Sequence, residues 1–138
     1  MIFTKECHYA VKAVLRLAEV GKISVKDLCE IENIPLAFGY KIMKKLADGG
    51  ILVSHRGSRG GHQLATKPCG ITILNIVQVM EDAKSEFLGK KCLVEEQDCE
   101  RHCPVNPCSL HTEITRIHDK VVEELGRYSV KDLVGSLE

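Results

Sequence analysis

Four cysteines of this 138-residue chain fall close together, as Cys92-x6-Cys99-x3-Cys103-x4-Cys108. Thiolates are soft ligands, and four of them on one polar stretch suit zinc or an iron–sulfur cluster. Structural zinc sites favour two tight Cys-x2–4-Cys pairs. The uneven spread here meets that pattern only loosely. Spacing alone therefore leaves zinc and iron–sulfur open, with thiol redox chemistry behind them. The chain holds seven cysteines, an odd number that cannot pair completely within one molecule. No basic-then-apolar leader opens the sequence, so a reducing compartment is expected rather than disulfides. Isolated cysteines behave as small buried hydrophobes. Cys29, within Leu28-Cys29-Glu30-Ile31, fits that description. No nucleophile–base constellation of the catalytic kind is visible, so the chain is not read as an enzyme.

A second group of residues has the chemistry of a nucleic-acid surface. Ala37, Phe38, Tyr40 and Lys41 would sit on the outer face at the start of a helix, with Lys44 and Lys45 placed for phosphates. A helix fits the major groove, about 12 Å wide, and presents its N-terminal residues to base edges. Arg56-Gly57-Ser58-Arg59-Gly60-Gly61 follows at once. Its arginines could track the backbone or enter a narrow minor groove. Its glycines permit a tight turn and a close approach to phosphate.

The overall charge, taken alone, opposes that idea, since 19 Lys+Arg balance 19 Asp+Glu. Residues 1–68, however, hold 11 basic and 6 acidic side chains, a balance of +5, whereas residues 69–138 hold 8 and 13, a balance of −5. Such asymmetry points to an anion-binding half. We therefore expect a DNA-binding region over 1–68, and a sensing loop with a dimerisation helix over 69–138, in one compact unit. No run nears the ~20 apolar residues of a membrane span. A soluble, cytoplasmic protein is expected.

The elements that must position these residues follow from local pattern. Ala10, Val11, Val14, Leu15, Leu17 and Ala18 predict a helix over 7–20, stopped by Gly21. Ser24-Val25-Lys26-Asp27 is a capping box for a short helix to about Ile31. Glu32-Asn33-Ile34 makes a turn, and Pro35 suits the first turn of a third helix to about Asp48. Ile51–Ser54 and His62–Ala65 form a hairpin about the glycine-rich tip. A fourth helix covers about 74–80. Pro104 and Pro107 argue for loop over 82–107. Leu110, Ile114, Ile117, Val121 and Leu125 then step at heptad-like spacing on a long helix from about Ser109 to Gly126. Ser129 and Asp132 cap a last short helix. The expected fold is mainly α with a small β-hairpin: a winged helix-turn-helix plus a long C-terminal dimerisation helix.

The Thr4…Tyr9-Ala10-Val11 start, the helix pair at 24–48 and above all Arg56-Gly57-Ser58-Arg59-Gly60-Gly61-His62-Gln63-Leu64-Ala65 resemble the IscR/NsrR/CymR family of bacterial transcriptional regulators. His62 stands where that family's wing pattern has an aromatic residue. The resemblance covers essentially the whole chain. It implies a homodimeric regulator, with repression among the outcomes it suggests, that reads a palindromic operator in double-stranded DNA. It also implies a [2Fe–2S] or [4Fe–4S] cluster, the former slightly favoured, on cysteines just before the long helix. Cys92, Cys99 and Cys108 match those by distance, and Cys103 is extra. One branch adds a histidine after the last cysteine, and Cys108-Ser109-Leu110-His111 has that spacing. Other branches complete the cluster from the N-terminus, where Glu6, Cys7 and His8 lie. Sensing of iron–sulfur, redox or nitric-oxide status is the implied function. The alternative is a cluster-free regulator or interaction protein using zinc, thiols or a protein partner, as in the branch that binds a cysteine-synthesis enzyme.

Overall fold

The computed structural model describes residues 4–81 and 109–135, and the elements below are numbered along these. The first helix, α1 (Lys5–Val20), begins earlier than apolar spacing predicts, because Thr4 caps it: its hydroxyl accepts the Cys7 N–H at 3.1 Å. Cys7, Ala10, Ala13, Val14 and Leu17 recur at helical spacing and are buried. Each large one contributes roughly 1.5–3 kcal/mol relative to exposure.

The strand β1 (Lys22–Ile23) leads to α2 (Val25–Glu32), where the Ser24 hydroxyl accepts the Asp27 N–H at 3.2 Å. Asn33 then takes the left-handed conformation, φ 54°, and the Ile34 N–H reaches back to the Cys29 carbonyl at 2.9 Å. This closes α2 and turns the chain into α3 (Leu36–Asp48). Pro35 does not enter the first turn as expected. Its ψ of 132° is extended, so it caps α3 from outside. The α2–α3 join is close at Gly39, where a Cβ would run into the Cys29 sulfur. Lys12 and Arg16 fasten α1 to the end of α2, with Lys12 Nζ donating to the Glu32 carbonyl at 2.7 Å and Arg16 Nε to its carboxylate at 2.6 Å.

The hairpin strands are β2 (Leu52–His55) and β3 (Gly61–Leu64), paired antiparallel with His55 opposite Gly61. They belong to a three-stranded sheet of order β1-β3-β2, in which Ile23 pairs with His62. β1 carries no signal in the sequence, since two residues are too few to show an alternation. A 3-10 turn (Pro68–Gly70) precedes α4 (Ile73–Met80), opened by a reciprocal capping box between Thr72 and Asn75.

Two further helices are described, α5 (Ser109–Arg127) and α6 (Val130–Gly135). As expected, Ser129 and Asp132 exchange hydrogen bonds at the start of α6. The core draws on α1, α2, α3, β2, α4 and Val130 of α6. No described side chain of α5 is fully buried, and Leu110 and Ile117 of its seam are 66% and 51% exposed. The loop expected over 82–107 lies outside the described residues. Among the described residues, no helix is long and apolar enough to cross a membrane.

Candidate nucleic-acid interface

Helix α3 divides its residues sharply between two environments. Gly39, Ile42, Met43 and Leu46 face the core. Ala37, Phe38, Tyr40, Lys41 and Lys44 face outward, as the sequence predicts, and Lys45 is half-buried. Leu36, which the sequence reading passed over, is exposed beside them. Phe38 is steadied from α1, where the Tyr9 ring lies 6.1 Å from it, centroid to centroid. A solvent-exposed phenylalanine held by a second aromatic is suited to apolar contact with a thymine methyl.

The lysines of this face are all paired. Lys41 Nζ meets Glu6 Oε1 at 2.7 Å, Lys45 Nζ lies 3.9 Å from Glu6 Oε2, and Lys44 pairs with Asp48 one turn on at 3.2 Å. The wing differs. Arg56, Gly57, Ser58 and Arg59 are exposed at the tip between β2 and β3, and neither arginine has an acidic partner among the described residues. The tip turns tightly: the Gly60 N–H donates to the Gly57 carbonyl at 2.9 Å, and a Cβ on Gly60 would stand 2.5 Å from the His55 carbonyl oxygen. Gly61 takes φ 147° against the backbone of Ile23. These glycines are thus required by the wing itself, in addition to any approach to phosphate.

His62 sits behind the tip in the middle strand. Its Nδ1 is buried with no hydrogen-bond partner among the described residues. Burial, and then the nearby His55, hold its pKa below the ordinary histidine value. An aromatic hydrocarbon would leave no such orphan.

The expected metal ligands Cys92, Cys99, Cys103 and Cys108 lie outside the described residues. His111 falls within α5, and its side chain lies outside them too. The fold separates Glu6 from the other two N-terminal candidates. Glu6 turns to the α3 lysines, Cys7 is buried and His8 is exposed. Cys7, His8 and Val11 line an open groove of about 550 Å³ against Ile73 and Val77 of α4. Among the described residues, no three His, Cys, Asp or Glu side chains converge to hold a metal. Cys29 is the buried small hydrophobe the sequence predicts, with its thiol pKa pushed up by burial, whereas Cys69 is exposed.

Comparison with known proteins adds to this geometry. Residues 3–136 match the family profile of Rrf2, described as "Iron-dependent Transcriptional regulator". A protein of Aquifex aeolicus (strain VF5) named "Putative HTH-type transcriptional regulator" is 29% identical over 136 residues, covering 97% of this chain and 92% of that one. The fold is similar to that of T. potens IscR, with a TM-score of 0.77 at 20% identity over 99% of this chain and 88% of that one. It is likewise similar to CymR, the global cysteine regulator of B. subtilis, with a TM-score of 0.76 at 24% identity over 97% and 96%. At these identities the two structures speak for the shared winged-helix fold alone. The chain belongs to the Rrf2 family of transcriptional regulators, DNA-binding proteins rather than enzymes.

Proposed function

We propose that this protein is a cytoplasmic, homodimeric regulator that reads a two-fold operator and senses iron–sulfur, redox or nitric-oxide status through a cluster. The observation that carries the DNA surface is the outward face of α3, with Phe38 and Tyr40 exposed, beside a wing whose two arginines have no acidic partner among the described residues. In this reading Ala37, Phe38, Tyr40 and Lys41 meet base edges. Lys44, Lys45, Arg56, Arg59 and the backbone of Gly57, Ser58, Gly60 and Gly61 meet phosphate and sugar. The exposed Leu110 and Ile117 of α5 support a second copy as partner, which would set two recognition helices about one DNA turn, ~34 Å, apart.

The donor set suits a cluster: four thiols and two imidazoles, those of His102 and His111, lie within twenty residues, Cys92 to His111. Cys92, Cys99 and Cys108 with His111 or Cys103 would hold it, and of the N-terminal candidates His8 is the one free to add a ligand. A [2Fe–2S] form is slightly favoured. When bound, the cluster supplies a redox-responsive charge and a fixed geometry ahead of α5. The chain's own part is to couple the placement of α5 to the spacing of the two α3 helices. The family's description as iron-dependent supports this reading. The second reading is a cluster-free regulator using zinc, thiols or a protein partner, kept by the likeness to the cysteine regulator's fold.

Anaerobic purification with iron, zinc and acid-labile sulfide analysis separates the two. The cluster reading expects brown protein with iron and sulfide in equal amounts, and operator affinity that changes when the cluster is removed. Colourless protein with stoichiometric zinc overturns it.

A further inference from the structure

The two halves of the DNA surface differ in how their cations are held. Among the described residues the wing arginines have no acidic partner, while the helix lysines Lys41 and Lys45 share the carboxylate of Glu6. Glu6 comes from the first turn of α1, thirty-five residues away from Lys41 in sequence. Its side chain is 26% exposed and that of Lys41 55%, so the pair stands in solvent and weakens with salt. A phosphate brought to the same Lys41 ammonium would lie within roughly 6 Å of that carboxylate, two hydrogen-bond lengths at most. The two anions would repel across one cation.

We propose that Glu6 is a determinant of DNA affinity: its carboxylate competes with backbone phosphate for Lys45 and, on arbitrary DNA where Lys41 has no cognate base edge to meet, for Lys41 as well. The helix lysines are thereby withheld from sequence-independent binding, which depends almost wholly on phosphate. The wing arginines are not withheld. Affinity for arbitrary DNA is thereby kept low. This inference rests on the reading of α3 as the helix that meets DNA. An acidic residue in the first turn of a helix also favours the helix dipole. That simpler role predicts a change in stability and none in salt dependence.

The test is Glu6→Gln in the full chain, with binding to a labelled mixed-sequence duplex of about 30 base pairs, roughly three helical turns, measured across a salt series. The variant should bind about two- to fivefold tighter at low salt, the range of an exposed ion pair. The slope of log K against log salt should steepen by about 0.9 for each lysine that gains a phosphate. Both changes should vanish when Glu6→Gln is made in a Lys41→Ala, Lys45→Ala background. A thermal melt confirms that each variant is folded. Unchanged or weaker binding by folded Glu6→Gln overturns the proposal, as does a gain that persists without the two lysines. Phe38→Ala and Tyr40→Ala provide the separate check on α3. If they alter affinity or preference while Glu6→Gln does nothing, only the role of Glu6 fails. If they too are silent, α3 is not the reading helix and both readings fall.

Discussion

Helix α1 and helix α5 have similar lengths, 16 and 19 residues, and opposite relations to the core. The shorter buries five side chains and touches α2, α3, α4, α6 and the sheet. The longer has no described side chain fully buried and leaves Leu110 and Ile117 open. Both carry a clear apolar stripe, so the stripe by itself does not tell a core helix from one left largely open to solvent. What differs is residue size. The α1 stripe includes Cys7, Ala10 and Ala13, which let other elements approach closely, whereas the α5 seam consists of Leu, Ile and Val spaced for another helix.

Substitutions on the two stripes should therefore behave oppositely. Leu17→Ala should cost about 2–5 kcal/mol of unfolding free energy, as buried truncations do. Urea denaturation checks it, and a loss below about 1 kcal/mol would mean that α1 is not the organising helix. Leu110→Ser with Ile117→Ser should leave the body within about 0.5 kcal/mol of wild type. By sedimentation the same double variant should shift from dimer to monomer. A variant that sediments unchanged removes the second copy from the account of α5.

A smaller effect is expected at the wing. Arg59→Ala should weaken binding to all duplexes alike and lower the salt slope by about 0.9, the signature of one lost phosphate contact. Phe38→Ala should instead change which sequences are preferred. An Arg59 variant with an unaltered slope would move the phosphate contact elsewhere.

The smallest effect is a pH dependence. The folded-state pKa of His62 is depressed, so the unfolded chain takes up the proton first as pH falls. Wild type should lose stability as pH drops through about 6.5 toward the lower folded value. His62→Phe, which restores the aromatic type and removes the orphaned Nδ1, should flatten that part of the curve. Denaturation midpoints from pH about 7 to 5 check it. Parallel curves for the two proteins would show that His62 is not the titrating group.

Much of the fold was legible because its signals are local. Ser24, Ser129 and the glycine tip each announce an element within four or five residues of themselves. The placement of α3's outer face followed from helical spacing alone. The contacts that tune that face were not legible, since they join residues far apart in sequence. Nothing in the spacing of Glu6 and Lys41, or of Tyr9 and Phe38, marks them as neighbours. They meet only because α1 and α3 pack, and a sequence pattern carries no information on which turn faces which. Likewise β1 acquires its identity from β3 rather than from its own two residues.

Val130 gives the order of assembly a constraint. It is wholly buried in the core with α1, and its N–H donates to the Ile71 carbonyl at 2.7 Å. The core begun by α1 is thus closed by a residue near the other end of the described chain. During synthesis α1, α2, α3 and the wing emerge first, yet their shared core lacks Val130 until α6 has been made. The candidate DNA surface on α3 thus rests on a core that residues 4–81 alone leave open where Val130 packs.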